Sequence, residues 1–396
     1  MTRLPEEKLP FKRDEYVSRL LKVQNAMEAK GIDLLIASDP SNMAWLSGYD
    51  GWSFYVPQAI IVHKHGEPWF WGRTMDAAGA RHTVYMDLND IYHYGDDYVM
   101  SIERHPMDHL SALIEEKQFS GKVIGVEMDN YYFSARAFEI LKSKLPNATF
   151  KDATNLVNWQ RLVKSDTELA FMKRAAGIVE LMHERIREKL EPGMRKNDLI
   201  ADIYDAAIRG TPEFGGDYAA IVPMVPSGEE ASAAHLTWND MPMKKGEGTF
   251  FEIAGCYRRY HCPLCRTAYL GTPSQKFIDV EKAVLDGIAM GIDVAKPGAV
   301  AEDMVHAFSK GLAKYGLKKE GRSGYSIGLS YPPDWGERTV SIRPGDMTEL
   351  RPNMTLHFMT AFWMEDSGYE VTESIHITGT GAELLANVPR QMLVRS

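Results

Sequence analysis

Arg161-Leu-Val-Lys-Ser-Asp-Thr-Glu-Leu-Ala-Phe-Met-Lys-Arg-Ala-Ala176 is the stretch on which the fold turns. Ser165 and Glu168 stand just ahead of an apolar run, at the spacing where each side chain satisfies one orphan N–H of a helix N-terminus. Leu169, Met172, Ala176, Val179, Met182, Ile186 and Leu190 follow at helical spacing, and Pro192-Gly193 stops the helix. A second helix is expected from about Asn197. The same order then recurs: a long helix, Pro297-Gly298, Asp303-Met304 and another helix. A duplicated α/β half follows from this echo, with strand-rich segments 218–272 and 340–380 interleaved.

Upstream lies a different pattern. Tyr16, Leu20, Val23 and Met27 mark a helix over 12–30 that stops at Gly31. Ile32-Asp-Leu-Leu-Ile-Ala37 predicts a strand closed by the turn Ser38-Asp-Pro-Ser-Asn42. Two apolar runs, at 59–63 and 68–71, flank His65-Gly66-Glu67 as a hairpin. Lys122–Glu127 predicts another strand and 134–144 another helix. The expected organisation is therefore a smaller α/β domain over 1–158 and a larger α+β domain over 159–396.

Composition sets the outer limits. The chain has 396 residues and a formal charge of −9, with 44% apolar and 25% charged residues, which is ordinary globular composition. With no dense Lys/Arg run, nucleic acid is not an expected partner. No apolar stretch approaches the ~18 residues of a membrane span. The first residues lack the apolar core of a secretory signal, and three cysteines make no disulfide framework. A cytoplasmic enzyme acting on a small molecule is the expectation.

Several motifs carry chemistry. Cys262-x2-Cys265 has a metal-ligand spacing, but no second pair follows and the segment alternates like a strand, so buried structural cysteines are expected. Glu252 in Thr-Phe-Phe-Glu-Ile-Ala and Glu373 in Glu-Val-Thr-Glu-Ser-Ile-His-Ile are carboxylates inside apolar strand patterns. Facing a core they need partners; facing solvent they need none, and spacing alone leaves both open. His235 in Ala-Ala-His-Leu-Thr-Trp, taken alone, reads as structural rather than catalytic.

The 161–176 stretch, Arg266-Thr267, Pro352-Asn-Met354 and the Pro-Gly pairs closely resemble the pita-bread family of creatinase, prolidase and aminopeptidase P. The resemblance covers nearly the whole chain. It implies a pseudo-two-fold catalytic domain behind a creatinase-like N-terminal domain, in a homodimer whose N-terminal domains close the partner's sites. Family metallopeptidases hold two metal ions through two Asp, one His and two Glu. Here those positions are carried over as Glu252, Pro263, Tyr325, Met359 and Glu373. Pro and Met supply no hard oxygen ligand. No metal and no other cofactor is therefore expected.

Creatinase is the metal-free branch, and His235 falls on its catalytic histidine, but the glutamate it carries before Arg-Thr is Cys265 here. A pocket of two carboxylates, a histidine and aromatics suits a planar cation bearing a carboxylate. Candidate aromatics are Trp45, Tyr49, Trp52, Phe54, Tyr331, Trp335 and Trp363, together with Tyr325. Gly48-Tyr-Asp-Gly-Trp-Ser-Phe-Tyr55 and Tyr331-Pro-Pro-Asp-Trp335 resemble a branch that opens a cyclic amidine carboxylate. That resemblance implies Glu252 as base or nucleophile, Glu373 pairing with a ring N–H, and His235 protonating the departing nitrogen. Tyr49, Trp52, Phe54, Tyr325, Tyr331 and Trp335 would bind the substrate. Two other readings stand: an amidinohydrolase of a linear guanidino acid, and a binding protein on a peptidase scaffold.

Overall fold

The computed structural model describes residues 2–396 and divides into two compact units, one ending at Arg161 and one running from Leu162 to Ser396. The break falls just past 158 because the last helix of the first unit, Leu156–Arg161, carries through that point.

The first unit contains α1 (Arg13–Ala29), β1 (Leu34–Ala37), α2 (Pro40–Ser47), β2 (Ala59–His63), β3 (Trp69–Arg73), α3 (Thr74–Ala80), β4 (Ile91–Tyr94), α4 (Pro106–Glu116), β5 (Val123–Val126), α5 (Ala135–Lys144), β6 (Thr149–Asp152) and α6 (Leu156–Arg161). Its strands form one sheet in the order β4-β3-β2-β1-β5-β6. The expected hairpin is β2–β3, and β2 runs antiparallel to both of its neighbours. Ile36, Ile61 and Trp71 of the sheet bury against Leu110 of α4 and Leu141 of α5. Glu127 fixes the turn into α2: its carboxylate accepts the Ser38 and Asp39 N–H groups at 2.8 and 2.9 Å and the Asn42 amide at 2.6 Å.

The second unit contains α7 (Asp166–Lys189), α8 (Lys196–Arg209), β7 (Gly248–Tyr257), β8 (Tyr260–Leu270), α9 (Gln275–Val294), α10 (Ala301–Ala313), β9 (Gly324–Ile327), β10 (Gly336–Ser341), β11 (Thr355–Trp363), β12 (Gly368–Ile377), β13 (Ala382–Leu384) and β14 (Leu393–Arg395). One sheet has the order β14-β8-β7, the other β10-β9-β11-β12-β13. The capping box forms as its residues predict. Ser165 Oγ accepts the Glu168 N–H at 3.2 Å, and the Glu168 carboxylate accepts the Ser165 N–H at 2.8 Å. The strands depart from expectation at both starts. Residues 218–247 hold only a short 3₁₀ turn at Gly228–Ser232 and isolated bridges, because Pro223, Pro226, Gly228 and Pro242 interrupt any ladder. The second strand group opens already at Gly324.

Both halves repeat one local design. Gly193 and Gly298 share a φ of +87°, a left-handed conformation that favours glycine. Each then pairs with the chain ahead: Gly193 N–H donates to the Met243 carbonyl, and Gly298 N–H to that of Leu350. Helices α7 and α8 cover one sheet through Val179, Ile203, Phe251 and Leu264, while α9 and α10 cover the other through Ile288, Phe308, Phe358 and Val371. Gly255 permits this closeness, since a Cβ there would collide with the Ala175 carbonyl of α7.

The two sheets meet where β8 lies beside β12, and side-chain hydroxyls replace the ladder. Thr372 Oγ1 accepts the Cys265 N–H at 2.7 Å, Ser374 donates to the Pro263 carbonyl at 2.6 Å, and Thr267 donates to the Glu370 carbonyl at 2.7 Å. With helices on the outer faces, the inner faces are left to build a site.

Candidate active site

Strand alternation decides which side chains reach the inner face. On β7 and β8, Glu252 and Cys265 are cross-strand partners, as are Ala254 and Pro263. On β9, β11 and β12, Tyr325 pairs with His357, His357 with Ser374, Met359 with Thr372, and Ala361 with Glu370. Glu252, Cys265, Tyr325, His357 and Glu370 are all buried.

Glu252 and Glu370 form the electrostatic centre. Burial holds the Glu252 carboxyl far above the usual carboxylate range, and the charge of Glu370 pushes it further. Burial likewise raises Glu370, to about 7, against the opposing pull of Lys319 and the Cys265 thiol. Neither side-chain oxygen of Glu370 is within full hydrogen-bond geometry of a partner among the described residues. Two carboxyls in one buried field resist ionising together, so the pair retains a proton near neutrality despite the charge of Lys319. The Lys319 ammonium, whose charge acts on Glu370, donates to the Met359 carbonyl at 3.2 Å, and burial lowers it to about 8. Tyr325 is held by the Trp335 indole N–H at 2.8 Å and lies 3.2 Å from His357 Nδ1.

The second expected carboxylate requires correction. Glu373 pairs across the strands with Phe358 and shares the outer parity of Tyr369, Val371 and Ile375. Its Oε1 accepts Arg266 at 2.9 Å and Arg390 at 2.7 Å. Arg266 also donates to the Cys265, Thr372, Val388 and Pro389 carbonyls, so this cluster clamps the sheet seam rather than facing the site. A one-residue change of parity moves a side chain to the other face, and it is Glu370 that faces Glu252.

The other expected residues divide. Tyr325 and Trp335 come together in one hydrogen bond. Tyr331 is buried, with the Arg259 guanidinium 5.8 Å from its ring. His235 is exposed on the loop after Gly228–Ser232, where Val225–Thr237 and Met224–Glu252 backbone bonds tie that loop to β7. In the first unit, Tyr49 belongs to the core and not to a binding surface: it is 3% exposed, bonds Ser53 at 2.6 Å and packs on Phe70. Trp52 is 58% exposed and lies beside Phe54 in a tilted arrangement, ring centroids 4.8 Å apart. The three cysteines are buried and none forms a disulfide, and Cys262 turns into the outer core while Cys265 faces Glu252.

A dinuclear metal centre does not fit the inner face. Pro263 and Met359 offer no hard donor, and the Tyr325 hydroxyl is already engaged. Thr372, the inner-face residue opposite Met359, spends its hydroxyl on the sheet seam. Glu370, His357 and Lys319 are the residues of this face and its surroundings that the sequence pattern did not single out. A signal for Glu370 exists: its parity on β12 is that of Thr372 and Ser374, opposite to the apolar residues.

Residues 170–379 match the model of metallopeptidase family M24, and residues 19–163 that of the creatinase/prolidase N-terminal domain. Ectoine hydrolase of Halomonas elongata is 53% identical over 394 residues, covering 98% of this chain and 99% of its own. The uncharacterised hydrolase/peptidase y4tM of Sinorhizobium fredii is 39% identical over 98% of this chain and 99% of its own. Prolidase from Thermococcus sibiricus superposes with a TM-score of 0.83 at 19% identity, over 96% of this chain and 99% of that one, which shows the shared pita-bread fold. The chain belongs to metallopeptidase family M24, as a hydrolase of carbon–nitrogen bonds carrying a creatinase/prolidase N-terminal domain.

Proposed function

We propose that this chain opens the ring of ectoine, a cyclic amidine carboxylate, to N-acetyl-L-2,4-diaminobutanoate without a metal ion. The observation that carries the reading is the buried pair Glu252–Glu370, set on the face where metallopeptidases of this fold place their ions. Full-length identity of 53% to an ectoine hydrolase supports the substrate. An amidinium brings the positive charge that lets both carboxyls ionise, so substrate binding itself activates the pair.

Glu370 pairs with a ring N–H and keeps the amidine cationic and electrophilic. Glu252 either deprotonates the water that adds to the amidine carbon or attacks that carbon itself, in which case water releases the covalent adduct only after the ring C–N bond has broken. The C–N bond then breaks, and the departing nitrogen takes a proton from His235, whose loop is tied to β7 beside Glu252. The proposal includes a cytoplasmic homodimer in which the exposed Trp52 and half-buried Phe54 of one protomer close the site of its partner. No helix among the described residues is long and apolar enough to cross a membrane.

The test is incubation with ectoine after exhaustive chelation, with products followed by NMR and metals by elemental analysis. Ring-opened product is expected from protein holding no stoichiometric transition metal. Ectoine recovered intact overturns the function, and activity that vanishes on removing two metals per subunit overturns the metal-free chemistry.

A further inference from the structure

Tyr325, His357 and Trp335 form a chain of polar contacts on the inner face. His357 is fully buried and is the cross-strand partner of Tyr325. The Tyr325 oxygen receives the Trp335 Nε1–H at 2.8 Å and lies 3.2 Å from His357 Nδ1. His357 Nε2 has no hydrogen-bond partner among the described residues.

Counting protons fixes the direction of this chain. The indole N–H can only donate. Burial, reinforced by the charge of Arg322, lowers the His357 imidazole to about 3, so the ring is neutral and carries a single proton. Placed on Nε2, that proton would make a buried donor without a partner, the rarer kind of defect in folded proteins. Placed on Nδ1, it donates to Tyr325 and leaves only an unpaired acceptor at Nε2. The phenol oxygen then accepts twice, and its own proton remains free. Tyr325 and Glu252 both stand on the inner-face parity of their strands, and Glu252 is the acid whose charge weighs most on that phenol, so the free proton belongs to the side of the carboxylate pair.

We propose that His357 is a positioning residue which, together with Trp335, makes Tyr325 a fixed hydrogen-bond donor to the group reacting at Glu252. A donor preorganised at a reacting centre favours developing electron density there, in this case on the amidine nitrogen as its carbon becomes tetrahedral. The inference rests on the ring-opening reading for its substrate, but not for its tautomer.

The tautomer is read directly on wild-type protein by ¹⁵N-histidine NMR. The proton is expected on Nδ1 of His357, and a proton on Nε2 overturns the proposal whatever the substrate is. Kinetics supply the second arm. Tyr325→Phe and His357→Leu should each lower kcat/KM for ectoine by roughly tenfold, the effect of one hydrogen bond. His357→Asn places an amide N–H where Nδ1–H stood and should restore most of the rate, whereas His357→Gln should not. In a Tyr325→Phe background, His357→Leu should cost nothing further. Losses that add in the double variant, or equal rates for the Asn and Gln variants, overturn the proposal. Should the Leu variant fail to fold, the Asn–Gln comparison and the NMR experiment decide. Wild-type protein inert toward ectoine would overturn the proposed function, while the tautomer measurement would still judge this inference.

Discussion

Replacing Glu370 by Gln should stabilise the protein at alkaline pH while disabling it. Burial raises the Glu370 carboxyl from 4.5 to about 7. Between those values the folded chain holds the proton more tightly than the unfolded chain, so stability falls as pH rises through the interval. At about 1.4 kcal/mol per pH unit, a gap of that width amounts to about 3 kcal/mol. Gln has the shape of the protonated acid and never ionises. At pH 5 wild type and Glu370→Gln should therefore unfold at similar urea concentrations. At pH 8 the variant should be more stable, by up to about 3 kcal/mol. Relief of Glu252 acts in the same direction, because Glu370 is the charge that pushes it up. Lys319 acts the other way, losing a favourable neighbour, but at about 8 it is already giving up its own charge. Glu127 of the first unit, also raised to about 7, is common to both proteins and cancels in the difference. Urea unfolding followed by tryptophan fluorescence at pH 5, 6, 7 and 8 measures the effect. Parallel stability profiles, or a variant weaker than wild type at pH 8, would refute the reasoning that Glu370 is a strained, functional carboxyl. Turnover should drop at the same time, a direct exchange of stability for activity.

Glu252→Gln should reduce turnover of ectoine by at least ~10²-fold while calorimetry still detects binding, and near wild-type turnover would remove Glu252 from the chemistry. Glu373→Gln should instead destabilise by about 3–5 kcal/mol, since it strips two arginines of their buried counter-charge. Urea melts check it, and the folded fraction should keep its turnover. Mixing Trp52→Ala with Glu252→Gln protomers should return part of the activity in verified heterodimers; no complementation at any ratio would mean that each site is built from one chain.

Much of the architecture is written locally. The Ser165–Glu168 box, the Pro-Gly stops at 192–193 and 297–298 and the helical periodicities specify α7 through α10, because capping and helix termination depend on residues a few positions apart. The same locality gives β1, the β2–β3 hairpin and α5. The strand limits were less legible: prolines dissolve 218–247 into bridges, while Gly324–Ile327 is too short to announce itself. Glu252 could be singled out as a carboxylate in an apolar strand, but not its counterpart. Glu370 and Glu373 stand on one strand, and only their parity against Tyr369, Val371 and Ile375 tells which faces the site and which meets Arg266 and Arg390. That choice belongs to the packing of β12 between β8 and the helices α9 and α10. His357 and Lys319 are more remote still, since a buried imidazole and a lowered ammonium acquire their character from groups far away in sequence. The chain alone thus determined its elements and one acid, for those rest on neighbours along the backbone. Tertiary structure decided the second acid and the shell around it, because burial and charge are set by whatever folds against them.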